Sequence, residues 1–172
     1  MNKLLKPAPS QVTAKAVVLI RLMAGGVFLV EGLLKFLYPA EFAAGRFAKI
    51  GIPAPEAMGP FVGGVETVCG ALVLVGLYSR LAAIPLLIDI SVAILSTKIP
   101  VLLGHGFWGF ALSTLPRYGF PSMVHEARTD FSMWLGLVFL LIVGGGWCSL
   151  DSLFARSKAR EQPAPSGAGD AQ

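Results

Sequence analysis

Four continuous apolar runs, residues 16–37, 57–77, 81–97 and 131–147, divide the chain into stretches of 22, 21, 17 and 17 residues. A helix rises 1.5 Å per residue, so about 17–25 such residues cross a hydrocarbon core of roughly 30 Å. The runs do not alternate apolar with polar positions, which favours helices over barrel strands. The third run can extend through residues 99–103, with Pro100 bending it. The pattern predicts an all-α protein, a polytopic membrane four-helix bundle occupying residues 16–151.

The connections carry their own pattern. Pro39 suits the first turn of a short helix and Gly51 its end, with Pro53 just beyond. Phe42, Phe47 and Ile50 fall near one face between them, so a short interfacial helix is expected after the first span. Residues 98–130 form a long segment rich in Gly, His and aromatics, the kind of connection that acts as a lid or a binding segment. Trp108, Tyr118 and Trp134 are placed for an interfacial aromatic belt. Ser149 can cap a short turn from Leu150 to Lys158. Residues 1–15 read as a cytoplasmic N-terminal segment, and residues 152–172, with their small, polar and Pro-rich end, as a largely disordered cytoplasmic tail. The first run is long for a secretory signal and no small-x-small cleavage site follows it, so it reads as a retained span.

Composition agrees with a membrane environment. The mean hydropathy is +0.71 and only 14% of residues are charged, against about 25% in soluble domains. The net charge of +4 does not point to nucleic acid, because the basic residues sit at chain ends and in loops rather than along one face. Four spans put both termini and the turn at 78–80 on one side, with eight Lys and Arg there and six on the other. That bias predicts cytoplasmic termini. The two cysteines, Cys69 and Cys148, form no metal or dithiol motif, and their expected depths differ by roughly 12 Å, too far for a disulfide.

The informative residues are the ionisable ones within or at the ends of the runs: Arg21, Glu31, Lys35, Glu66 and Asp89. A charge near the bilayer midplane costs at least about 2.5–3.5 kcal/mol, so such residues pair, line a wet cavity or move protons. Glu31 and Lys35 are four apart, the spacing of a self-neutralising pair on one helix face. Glu66 lies roughly 13 Å inside the outer boundary and Glu31 roughly 9 Å, so the two carboxyls can share a level, with Asp89 somewhat deeper. The expectation is a polar pocket of Glu31, Lys35, Glu66 and Asp89 in which Glu66 or Asp89 holds a proton. A buried network that only fixes helix packing is the competing reading. Gly59, Gly63 and Gly70 around Glu66 suit close helix contact. His105 and Trp108 are candidates for a lid over this pocket, although two isolated histidines, His105 and His125, read first as loop residues and give no metal-ligand spacing.

The ordered motifs RLMAGGVFLVEGLLKF (21–36), GIPAP (51–55), GGVETVCGALVLVGLYSRLAA (63–83), GFW (106–108) and VGGGWCSLD (143–151) resemble those of the DoxX family. The resemblance covers most of residues 21–151. It implies a four-helix protein of the bacterial cytoplasmic (inner) membrane. Some relatives are small membrane subunits of thiosulfate:quinone oxidoreductase, and others belong to membrane oxidoreductase complexes handling thiols and oxidative stress. Carried over by position, the family pattern points to residues 32–35 and to Glu66. The segment HEARTDFSMW (125–134) departs from the shorter, Gly-containing connection of the quinone-linked members, which weakens any transfer of thiosulfate as substrate. The resulting expectation is a membrane subunit or anchor of an oxidoreductase complex, with a quinone as candidate cofactor and a soluble redox partner or a second copy as candidate partner. A proton-coupled transporter and a non-catalytic scaffold stay open as alternatives.

Overall fold

A computed structural model describes residues 10–153 apart from residue 147, with side chains from residue 15 onward. The expectations for residues 1–9 and for the tail beyond 153 lie outside the described residues. Helix α1 runs Ser10–Leu37, followed by two short helices, α2 (Pro39–Phe42) and α3 (Ala44–Ile50). Helix α4 is Pro55–Val75 and α5 is Ser79–Ala93; a π-helical turn, Ile94–Lys98, leads into α6 (Ile99–Leu103). Helix α7 is Phe120–Val143. Around the bundle α1 packs on α4, α4 on α5, α5 on α7 and α7 on α1.

Among the described residues, three helices are long and apolar enough to cross a membrane: Lys15–Leu37, Pro55–Val75 and Ser79–Leu103. Helix α7 completes the bundle, and Glu126, Arg128 and Asp130 occupy its first half. The chain is an all-α membrane protein. Large apolar side chains such as Leu19, Leu37, Ile88 and Ile142 face outward and meet lipid. The core between the helices is a cluster that includes Phe28, Val73, Leu86, Leu137 and Leu140.

Punctuation follows local chemistry. Gly51 and Gly76 end α3 and α4 at φ +91° and +75°, a left-handed conformation that glycine adopts at little cost. Pro39 and Pro55 stand in the first turns of α2 and α4, where a missing N–H costs nothing. The third span is longer than its apolar run because the helix passes Pro100 through the π turn. Ile99 N–H donates to Ile94 O there, a wider loop that accommodates the ring.

Several expectations are corrected. The single interfacial helix is two helices broken at Ala43, whose ψ of −112° is not helical. Helix α7 starts at Phe120 rather than at residue 131, and the third span runs on to Leu103, so about half of the expected long connection is helix. What remains, residues 104–119, turns tightly: Phe107 and Phe110 exchange backbone hydrogen bonds across Trp108 and Gly109. Both turn residues have positive φ, the geometry of a two-residue hairpin. Trp134 is not in an interfacial belt; its indole N–H donates to Ser91 Oγ at 3.2 Å between α7 and α5. Ser149 does cap the final turn, accepting from Ser152 N–H at 3.2 Å.

Candidate functional site

The site begins with the close approach of α1 and α4. A Cβ on Gly32 would lie 2.5 Å from Thr67 Oγ1 and 2.6 Å from the Thr67 backbone nitrogen, so only glycine allows this separation. Gly63 and Gly70 present the matching face of α4, which supports the close-contact reading of that stripe. With the backbones this near, Lys35, one turn beyond Gly32, reaches across to Glu66. Lys35 Nζ donates to Glu66 Oε2 at 2.5 Å, and the two side chains are only 8% and 6% exposed. Asp89 comes from α5 on the other side and stands within hydrogen-bonding reach of Glu66.

The self-neutralising Glu31/Lys35 pair is therefore not what forms. Lys35 is spent on Glu66, and Glu31 is half-buried with no ion pair to a described residue. Asp89 is also not deeper than Glu66. Counted from the tight turn joining their helices, Glu66 is nine residues back and Asp89 ten residues on, which sets them at one level.

These four residues are brought together on the wall of one cavity of about 240 Å³. Phe28, Phe47, Ile90 and Met133 supply much of its apolar lining, with Arg46, Thr97 and Asp130 toward the end that carries the longer connections. Asp130 pairs with Lys98 at 3.1 Å. His105 and Trp108 do not line it. Trp108 is 88% exposed at the tip of its hairpin. The cover comes from α2 and α3 instead, and the hairpin braces that cover: Ala111 N–H donates to Ile50 O at 2.7 Å.

A second polar centre lies about 21 Å from Lys35 along α1. Arg21, 4% exposed, donates from every guanidinium nitrogen to backbone carbonyls. Nε donates to Val73 O at 3.0 Å and Nη2 to Leu74 O at 2.7 Å, carbonyls at the end of α4. Nη1 donates to Gly145 O at 3.2 Å and Cys148 O at 2.6 Å. The last carbonyls of a helix lack intrahelical partners and carry its negative pole, which makes a cation there favourable. The sequence marks Arg21 as one of the ionisable residues within or at the ends of the apolar runs, but gives it no partner and no place in the pocket. The available signal was an arginine within an apolar run beside a glycine-ended antiparallel helix.

A bundle of apolar helices that buries an ion pair beside further carboxyls defines a polytopic membrane protein with a polar interior. The family model described as DoxX matches residues 16–99. A protein of Mycobacterium tuberculosis described as uncharacterized membrane protein Rv3486 is 52% identical over 136 residues, 79% of each chain. No solved structure matches the chain. The chain belongs to the DoxX family.

Proposed function

We propose that this protein is a membrane subunit of an oxidoreductase complex, and that its cavity receives the ring of a quinone. The observation that carries the reading is the buried Lys35–Glu66 pair with Asp89 beside it, opening into a cavity whose wall around them is largely apolar. Pockets for drug-sized ligands run roughly 300–1,000 Å³. A space of about 240 Å³ suits a ring head group whose tail stays outside. Phe28, Phe47 and Met133 offer flat or soft apolar walls, and Lys35 is a fixed donor for a ring carbonyl.

A bound quinone supplies two-electron chemistry in which its carbonyls become hydroxyls, with the electrons arriving from a redox partner. The residues of this chain hold and move the protons. Glu66 and Asp89 share one proton, and Lys35 neutralises the negative charge that remains, so the triad is neutral overall. That sharing keeps a proton in an apolar surround without an uncompensated charge. Glu31, unpaired on the same wall, is a second acceptor near the mouth.

The test is purification in mild detergent with extraction and redox difference spectroscopy of bound isoprenoid compounds. The wild-type protein is expected to retain a quinone, and Lys35→Met to lose it while remaining folded. Wild-type protein that carries no quinone and binds none when it is added would overturn the reading. Solute flux by the protein alone in liposomes would replace it with transport.

A further inference from the structure

The cavity is asymmetric along the bundle. Toward the connections 38–54 and 104–119 its wall is polar: Ser96 and Thr97 from the π turn, Asp130 from α7 and Arg46 from α3. Arg46 is exposed, and the Lys98–Asp130 pair is 14% and 23% exposed, so this end meets water. The Ser96 and Thr97 hydroxyls donate to Ala93 O at 3.3 and 2.6 Å, leaving their oxygens free to accept from water. Toward the termini the wall is closed. Val73, Leu86 and Leu137 are 0% exposed and Phe28 is 3%. Thr67 Oγ1 is buried at the Gly32 contact, one residue beyond Glu66; past it the next buried polar side chains in that direction are Arg21, Ser79 and Ser149, and Ser79 lies about 15 Å below Asp89 along α5. A buried water needs two to four polar partners, which this apolar plug does not offer.

We infer that the cavity is a half-channel: the Glu66–Asp89 proton exchanges only with the face bearing connections 38–54 and 104–119, by way of Thr97 and Asp130. The groups facing Glu66 are Lys35 and Glu31 from α1 and Asp89 from α5; Asp130 and Arg46 stand at the mouth. Proton uptake by the site is then directional across the membrane. The inference rests on the proton-sharing part of the function proposed above and needs no quinone.

Cys148, exposed at the opposite end, is a native marker of the other face. In a Cys69→Ala background, sealed vesicles are treated with a charged, membrane-impermeant methanethiosulfonate reagent. Thr97→Cys is expected to react only in vesicles where Cys148 is protected, at least tenfold faster than Leu137→Cys. Met133→Cys, which lines the cavity from α7, is the second reporter should Thr97→Cys fail to fold. In infrared hydrogen–deuterium exchange, Asp130→Asn is expected to slow exchange of the carboxyl band about tenfold without changing its extent. Labelling of Thr97→Cys or Met133→Cys from the Cys148 face overturns the inference, as does Leu137→Cys reacting as fast as Thr97→Cys. One-sided labelling in a protein that binds no quinone would sink the function proposed above and leave the half-channel standing.

Discussion

Replacing Lys35 with Met, a side chain of similar length without charge, strands the carboxyl of Glu66 among Phe28, Met58, Val62 and Ile90. Removing one partner of a buried ion pair typically costs about 3–5 kcal/mol, because the other charge is left uncompensated. Here the cost belongs at the upper end, since Lys35 is the cation that serves both Glu66 and Asp89. The reverse change is milder. In Glu66→Gln, Lys35 keeps an amide acceptor and has Asp89 within range, so about 1–2 kcal/mol is expected. The double variant should be more stable than Lys35→Met alone, with a coupling of about 2–3 kcal/mol between the two sites. Reversible unfolding in mixed micelles, followed by tryptophan fluorescence, measures all four corners of the cycle. Should Lys35→Met cost no more than Lys49→Met, an exposed substitution worth about 0.5 kcal/mol or less, the pair is not buried and the site as described does not exist.

The same unfolding assay reads two further predictions. Gly32→Ala places a Cβ 2.5 Å from Thr67 Oγ1 and against its backbone nitrogen, so α1 and α4 must part at a cost of about 1–3 kcal/mol. Gly64→Ala, on the same helix as Thr67 but with nothing within 4 Å, should be neutral or stabilising by about 0.5–1 kcal/mol; equal effects would refute the close approach. Arg21→Lys keeps the charge but cannot reproduce a planar fork serving Val73, Leu74, Gly145 and Cys148. It should cost about 2–4 kcal/mol and speed proteolysis after residue 144, whereas wild-type behaviour would show that the clamp is dispensable.

Much of the architecture was legible in the residues because span length is a strong constraint: an apolar run near 20 residues has few alternatives to crossing a bilayer. The start of α7 was not legible. Charged positions in PSMVHEARTD read as a loop, yet Asp130 turns into the cavity to meet Lys98 and the rest of that face is solvated. Cavity-lining polarity lowers the hydropathy of a helix just where it does its work. The partner of Lys35 was misread for a related reason. An i,i+4 spacing fixes what can meet along one helix, but worth only about 0.2–0.5 kcal/mol, it yields to a tertiary partner in a drier place. The glycine that brings that partner near, Gly32, stands within the stretch the family pattern marks, but its role is legible only once α4 is known to be the neighbour. Membership of the pocket was readable from charge in an apolar run, whereas pairing within it required the helix order.

Side-chain size explains why the cavity sits in one half of the bundle. On α5 the inward positions near the termini are Ala82, Ala83 and Leu86, which meet Leu137 and Leu140 of α7, and none of the five is more than 3% exposed. Beyond Asp89 the inward series becomes Ala93, Ser96 and Thr97, and the π turn widens the backbone at the same level. Opposite them α7 offers Thr129 and Asp130 in place of leucines. Small and polar side chains on two facing helices cannot fill the space that leucines fill lower down, so the volume stays open. Helices α2 and α3 cover it without sealing it. The closed half, tied by Arg21, holds the helices in register so that the open half can keep Lys35, Glu66 and Asp89 in contact. Filling the open half, for example with Ser96→Leu, would remove the cavity while leaving the Arg21 clamp untouched, which separates the two halves physically as well as chemically.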